Sequence, residues 1–238
     1  MPPSTGLRAR VRAEIITEIK DEARRQMAVA GAQALSLRAV TRTLGMASSG
    51  IYRYFSSRDE LLTALIVDAY DAIGQAAEDA DARRDRDDFG GRWWAAGHAI
   101  RAWSLANPHE YALVYGSPVP GYRAPEETIG PATRVTSVLS GILDDASRAG
   151  ALRPVDLSLP PLAPAAAAAA RRLAEAAFPA VLDEVALRAV AGWTQLFGMV
   201  SFELFGHFHG VLDDPDPVFD RLVIESGISM GIPMPHRR

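Results

Sequence analysis

The 238-residue chain predicts an all-α protein, with an N-terminal three-helix unit followed by a larger helical region. Three observations carry that expectation. No segment of more than a few residues alternates apolar and polar side chains, so strand signals are nearly absent. Apolar residues instead recur at threes and fours, the spacing of one helical face. The runs are separated by helix punctuation, with glycine stops and serine caps.

Over residues 7–30, Val11, Ile15, Ile16, Ile19, Ala23 and Met27 share one face, and Gly31 is a stop. Ser36 fits the N-cap of a short helix over 37–44, with Leu37, Val40 and Leu44 apolar. Gly45 supplies the positive φ that ends it and permits a sharp turn. A third helix is expected over about 48–55. Ser57-Arg58-Asp59-Glu60 then has the Ser-x-x-Glu form of a capping box, launching a long fourth helix toward Asp79.

The mixed-charge run DADARRDRDD reads as an exposed helix end or linker. Trp94, Ala95, His98, Ile100 and Leu105 mark a mostly apolar helix closed by Asn107-Pro108, and residues 110–115 form a shorter one. SPVPGYRAPEE is a loop with no packing pattern. Residues 128–149 place Val135, Val138, Leu139, Ile142 and Leu143 on one helical face. RPVDLSLPPLAP is an extended connector, and the alanine run 165–177 is helical by propensity. Residues 187–212 are apolar nearly all round the helix axis, so this helix must be covered on more than one side. A final helix is expected over 217–229.

Composition removes several classes of function. There is no cysteine, hence no disulfide framework, thiolate zinc site or cysteine nucleophile. The first residues hold no continuous apolar core before Glu14, so no secretory signal is expected, and a cytoplasmic location follows. The 187–212 run is long enough to span a bilayer, but Glu203 at mid-membrane would cost about 2.5–3.5 kcal/mol or more. No membrane is expected. Glycine-rich phosphate loops, Gly-x-Ser-x-Gly elbows and His-Glu-x-x-His sites are all missing. His207 and His209, two apart, would point to different sides of a helix. The expectation is therefore no catalytic residue, no metal and no cofactor.

Charge is distributed unevenly. Up to residue 58 there are ten basic residues against four acidic ones, a net of +6, so the remainder carries −10 within a total of −4. A basic head on an acidic body points to a polyanion partner for the head. The expected third helix supports this, because Ile51 and Phe55 make a minimal buried stripe while Ser48, Ser49, Tyr52 and Arg53 face outward. In a major groove such a helix needs small residues at its N-terminal end and donors beyond them. Tyrosine offers a hydroxyl to phosphate on a stiff ring, and arginine forks onto guanine or phosphate. Arg8, Arg10 and Arg12 fit either an arm reaching the DNA backbone or minor groove, or a solvated helix terminus.

The stretch LSLRAVTRTLGMASSGIYRYFSSRDELLTAL, residues 35–65, resembles the DNA-binding domain of TetR-family transcriptional regulators. The resemblance implies a helix-turn-helix domain over 8–62 and a helical regulatory domain over 63–238. It implies DNA contacts from Arg38, Ser48, Ser49, Tyr52, Arg53 and Tyr54, with Arg58 clamping a phosphate. Ala47 departs from the family's Ser or Thr cap, which weakens that helix start by about 1 kcal/mol. The run AVAGWTQLFGMVSFELFGHFHGVL is similar to the WHG group of TetR-type regulatory domains, with Trp193 as the tryptophan and Phe197 where the group has its histidine.

The remaining expectations follow. Aromatic side chains suit a cavity wall, and Trp103, Tyr111, Tyr115, Phe178, Trp193 and Phe197 are the expected ligand-pocket residues. Gly192, Gly198 and Gly206 would let helices approach closely, and Gly198, Leu204, Phe208, Phe219 and Leu222 are the expected dimer interface. The partners are then a double-stranded DNA operator, a small apolar or aromatic effector and a second copy of the chain. The competing expectation is a helical small-molecule binding protein or enzyme with a vestigial helix-turn-helix.

Overall fold

The computed structural model describes residues 4–157, 160–178 and 180–234, and every regular element among them is helical. Ser158 and Leu159 of the expected connector, and residues 235–238, lie outside the described residues. Among the described residues nine α-helices follow one another: α1 Ser4–Ala30, α2 Leu37–Thr43, α3 Arg58–Ala82, α4 Phe89–Ala106, α5 Pro108–Tyr115, α6 Ile129–Arg148, α7 Pro164–Ala177, α8 Asp183–Leu204 and α9 Pro215–Ser229. Three short 3₁₀ turns lie between them, at Ala32–Ala34, Ile51–Arg53 and Glu126–Thr128.

Two compact units are present. The first comprises Met1–Asp71 and Asn107–Pro131, and the second Ala72–Ala106 and Ala132–Arg238. The unit that carries the helix-turn-helix is thus larger than the expected segment 8–62. It takes the first half of α3, and it takes α5 with the loop after it. The reason is packing. Leu113, Val114, Val119 and Tyr122 lie against the core formed by Ile19, Ala23, Met27, Leu37, Val40, Ile51, Phe55, Leu61, Leu62 and Leu65. Polar ties fix the same joint. Arg24 of α1 is ion-paired with Asp68 of α3 at 2.8 Å and with Glu110 of α5 at 3.0 Å. The Tyr122 and Thr63 hydroxyls share a hydrogen bond of 2.8 Å.

In the second unit, α8 packs against α7 on one side and α9 on the other, and α4 packs against α8 and α9. Gly192 makes the α8–α9 approach possible, since a Cβ there would already touch Ser226 Cβ at 3.4 Å and Met230 Cε at 3.5 Å. Two buried arginines tie the bundle together. Arg92 of α4, 1% exposed, reaches Asp81 of α3 at 2.6 Å and Asp145 of α6 at 2.9 Å. Arg101 of α4 grips Glu203 of α8 through two bonds of 2.7 Å and Asp216 of α9 at 2.6 Å. The hydrogen bonds that Arg101 donates to Glu203, followed by that to Asp216, outweigh burial and raise the Arg101 pKa.

α8 is long and apolar enough to cross a membrane, yet it lies between α7 and α9 and carries Glu203 in that ion pair. It starts earlier and ends earlier than expected. Gly206 adopts φ +78°, Gly206 N–H donates to Glu203 O at 3.3 Å, and His207 N–H donates to Phe202 O at 2.8 Å. This paired closure stops the helix at Leu204, so Gly206 is a helix stop rather than a site of helix approach.

Candidate nucleic-acid interface and ligand cavity

The helix-turn-helix is built by its ends. Ser36 caps α2, its hydroxyl accepting from Ala39 N–H at 3.4 Å. At the other end Gly45, φ +63°, donates to Arg42 O at 3.4 Å, and Met46 N–H donates to Thr41 O at 2.9 Å. That is the same closure as on α8, and it turns the chain sharply out of α2. The third helix is not a full α-helix. It is a run of tight turns over 47–54, with 3₁₀ geometry at Ile51–Arg53. No side-chain oxygen caps the 3₁₀ turn, because its cap residue is Gly50, which is also a weak helix former. A Cβ at Gly50 would stand 3.0 Å from the Ala47 carbonyl oxygen, a tight contact that glycine avoids.

This recognition turn is pinned from inside by buried Ile51 and Phe55. Ser48, Ser49, Tyr52 and Arg53 point outward, with Tyr52 55% exposed. Arg38 is exposed on α2. Tyr54 differs: it is half-buried, and the Arg12 guanidinium lies 5.2 Å from its ring centre. Arg12 also donates to the Arg53 carbonyl at 2.9 Å, which ties the start of α1 to the end of the turn.

Arg58 is turned inward. Its Nε donates to Leu35 O at 3.0 Å, and Nη2 donates to Ala32 O at 3.0 Å and Gln33 O at 3.2 Å. Asp59 faces Nη1 at 3.5 Å. The expected phosphate clamp is in this conformation a clasp on the α1–α2 connection, whose carbonyls are its acceptors. The expected capping box is shifted likewise. Ser57 Oγ accepts from Glu60 N–H at 3.1 Å, but the Glu60 carboxylate reaches back to the Ser56 N–H and hydroxyl, at 2.5 and 2.6 Å. Those Ser56 bonds hold the Glu60 carboxyl below its usual range.

The basic residues of the first unit fall into two sets. Lys20, Arg24 and Arg25 face Asp68, Asp21, Glu110 and Glu22. Arg8, Arg10, Arg12, Arg38, Arg42, Arg53 and Arg123 are exposed and have no carboxylate partner among the described residues. Apart from Arg123 in the loop after α5, the uncompensated positive charge sits on the first turns of α1, on α2 and on the recognition turn.

A half-open cavity of about 540 Å³ lies in the second unit, with Thr133, Thr136, Ser137 and Trp193 on its exposed side. Trp93, Leu139, Leu173, Ala189 and Trp193 supply its apolar wall, with Phe178 at the end of α7. Thr133, Thr136, Ser137 and Ser140 of α6 supply hydroxyls. Of the expected pocket residues, Phe178 and Trp193 line it. Phe197 is buried behind Trp193, ring centres 5.7 Å apart. Trp103 is not in its lining. Tyr111 and Tyr115 belong to the first unit, where Tyr111 is fully buried and its ring lies 5.1 Å from that of Tyr115. Burial, with Tyr70 and Tyr111 close by, raises the Tyr115 pKa strongly. The α6 hydroxyls escaped the sequence reading because Ser and Thr at helical spacing look like any solvated face. Trp93 escaped it because the sequence does not say which of Trp93 and Trp94 turns inward.

The expected interface residues are also sorted by the structure. Gly198 is open, with nothing within 4 Å of a Cβ, while Leu204, Phe208 and Leu222 are half-buried. Phe208 follows the end of α8 rather than lying on it. Phe219 cannot meet a partner. It is fully buried in its own subunit, with Arg101 4.9 Å from its ring centre and the His98 ring edge-on at 5.2 Å.

Residues 19–65 match the family model of bacterial regulatory proteins, tetR family, and residues 93–225 match that of the tetracyclin repressor-like C-terminal domain. The HTH-type transcriptional regulator Rv1816 of Mycobacterium tuberculosis is 40% identical over 222 residues, covering 90% of this chain and 92% of that one. The chain belongs to the TetR family.

This TetR-family protein is a DNA-binding transcription regulator with a helix-turn-helix and an all-α fold. The crystal structure of the regulatory protein SCO4313 resembles it with a TM-score of 0.76 and 32% identity, over 95% of this chain and 98% of that one. The TetR-family regulator PfmR of Thermus thermophilus shares the fold at a TM-score of 0.56 and 18% identity, over 90% and 96% of the two chains.

Proposed function

We propose that this TetR-family regulator acts as a homodimeric repressor that binds a palindromic operator and leaves it when a small apolar or aromatic effector fills the cavity of the second unit. The observation that carries the DNA half is the sorting of charge. Six of the seven exposed arginines of the first unit without a carboxylate partner sit on the helix-turn-helix elements, next to an outward set of Ser48, Ser49, Tyr52 and Arg53. Phosphate neutralisation by those arginines gives affinity, and the turn residues read base edges. Arg12 acts here through Arg53 and Tyr54, as a positioning residue.

The effector half rests on the cavity between α6, α7 and α8, whose lining carries no charged side chain. The likeness to the WHG group belongs to this reading, with its tryptophan, Trp193, in the cavity wall. The effector acts by differential affinity. It lowers operator occupancy only to the extent that it binds the DNA-incompetent state more tightly. Dimerisation is assigned to α8 and α9, where Gly198, Phe202 and Ile228 are open on the subunit surface.

Selection of genomic DNA fragments by the purified protein at fixed salt tests this reading. Enrichment of a short palindrome is the expected result. A folded protein that enriches nothing, at several salt concentrations, would overturn it.

A further inference from the structure

The cavity of the second unit has a polar side made almost entirely by one helix. Thr133, Thr136, Ser137 and Ser140 recur at threes and fours along α6, so their hydroxyls form a ladder along one face of that helix. Two of these hydroxyls spend their proton on their own helix. Thr136 Oγ1 donates to Thr133 O at 2.8 Å, and Ser140 Oγ donates to Ser137 O at 3.3 Å. What they leave toward the cavity are lone pairs. Ser137 Oγ has no hydrogen-bond partner among the described residues and can turn either way.

The opposite wall offers nothing polar to match. Trp93 Nε1–H is already used, donating to Val223 O and to Ser226 Oγ, both at 3.2 Å, so its ring meets the cavity as apolar surface. Trp193, supported by buried Phe197, presents a second aromatic surface. With no cation in the lining, a carboxylate would give up part of its hydration against the aromatic wall and gain no counter-charge. A bare hydrocarbon would cover the hydroxyl ladder and strip it of water without replacing the bonds.

We infer that the effector is an uncharged, flat aromatic molecule with an O–H or N–H group on its rim, the ring held by Trp93 and Trp193 and the donor held by the ladder of α6. The inference rests on the cavity being the effector site, and it goes further by naming the chemistry that the site selects. Ser137 and Ser140 are its specificity-determining residues. A volume of about 540 Å³ is ample for a fused-ring molecule.

Three probes of one shape separate the possibilities: naphthalene, 2-naphthol and 2-naphthoate, each titrated calorimetrically into the full-length protein. 2-Naphthol should bind about three- to tenfold more tightly than either of the others. The double variant Ser137→Ala/Ser140→Ala should bring 2-naphthol down to the level of naphthalene and leave naphthalene unchanged. Equal binding of naphthalene and 2-naphthol, tighter binding of 2-naphthoate, or a preference that survives the double variant would each overturn the inference while leaving the cavity as the effector site. Binding of none of the three would overturn the cavity itself as that site, and this inference with it. Operator selection, measured separately, is untouched by either result.

Discussion

The Arg58 guanidinium and the Leu35 carbonyl meet at 3.0 Å, and through that bond the first residue of α3 holds the connection between α1 and α2. With Ala32 O and Gln33 O on Nη2, one side chain binds three carbonyls of the short α1–α2 link, of which Ala32 O also accepts from Leu35 N–H at 3.3 Å. Its position next to the recognition turn invites a reading as a DNA ligand, but its donors face inward.

Arg58→Ala should therefore destabilise the first unit by about 1–3 kcal/mol in chemical denaturation, since hydrogen bonds from a charged donor are lost together. Arg58→Lys should recover only part of this, because an ammonium cannot fork across the three carbonyls. An alanine variant with wild-type stability and greatly weakened DNA binding would restore the phosphate-clamp role.

Tyr52, Arg38 and Arg53 should behave in the opposite way. All three are exposed and hold no part of the core. Arg38→Ala and Arg53→Ala should each lower operator affinity, reduce the salt dependence of binding by about one counterion and leave thermal stability unchanged. Arg12→Ala should instead reduce discrimination between operator and random DNA with the salt slope kept, because Arg12 acts through the Arg53 carbonyl and the Tyr54 ring. Binding titrations over a salt series distinguish the two patterns.

The contrast between Arg58 and Tyr52 also marks how far the sequence could be read. Helix spacing, the Ser36 cap and the Gly45 stop are local signals, and the structure has them where local chemistry requires. The direction of a long side chain is not local. Arg58 reaches carbonyls more than twenty residues away in sequence, and nothing in the Ser57–Glu60 motif specifies that. The same holds for Phe219, whose apolar character fitted an interface and a core equally well, and which the structure encloses with Arg101 and His98. Tyr111 and Tyr115 were legible as aromatics on a short helix over 110–115, but not as members of the first unit.

The two acidic partners of Arg101 should differ sharply. Glu203 has 14% of its side chain exposed and Asp216 has 76%. Glu203→Gln leaves a buried guanidinium without its bidentate partner and should cost about 3 kcal/mol or more. Asp216→Asn removes an exposed charge and should cost about 1 kcal/mol or less. Urea unfolding of the two variants measures the difference, and equal effects would mean that the network acts as a surface pair.

Acid should unfold the second unit partly through Asp81. Burial pushes its carboxyl up, but hydrogen bonds and charge from Arg92 and Arg86 outweigh that and hold it below its ordinary value of 3.8. A carboxyl depressed in the folded state contributes stability that is complete above its ordinary value and is lost as pH falls through the lower, folded value. Asp81→Asn should thus be less stable near neutrality, by about 3 kcal/mol, because Arg92 is almost fully buried. It should also lose less additional stability than the wild type as pH falls below 3.8. Parallel denaturation curves at neutral and acid pH read both effects, and an unchanged acid limb would remove Asp81 as its source.

Gly198 offers a direct test of where two subunits meet. Nothing in its own subunit lies within 4 Å of a Cβ at that position, so Gly198→Glu can be accommodated within one chain. Glutamate is also a better helix former than glycine, by several tenths of a kcal/mol. If α8 packs against its counterpart in a second copy, the same substitution brings two carboxylates into a close helix contact, and like charges there oppose association. Sedimentation should then show a folded monomer with normal helical content and weakened operator binding, since a palindrome engages both recognition turns only in a dimer. A Gly198→Glu protein that sediments as a wild-type dimer would place the interface on another face.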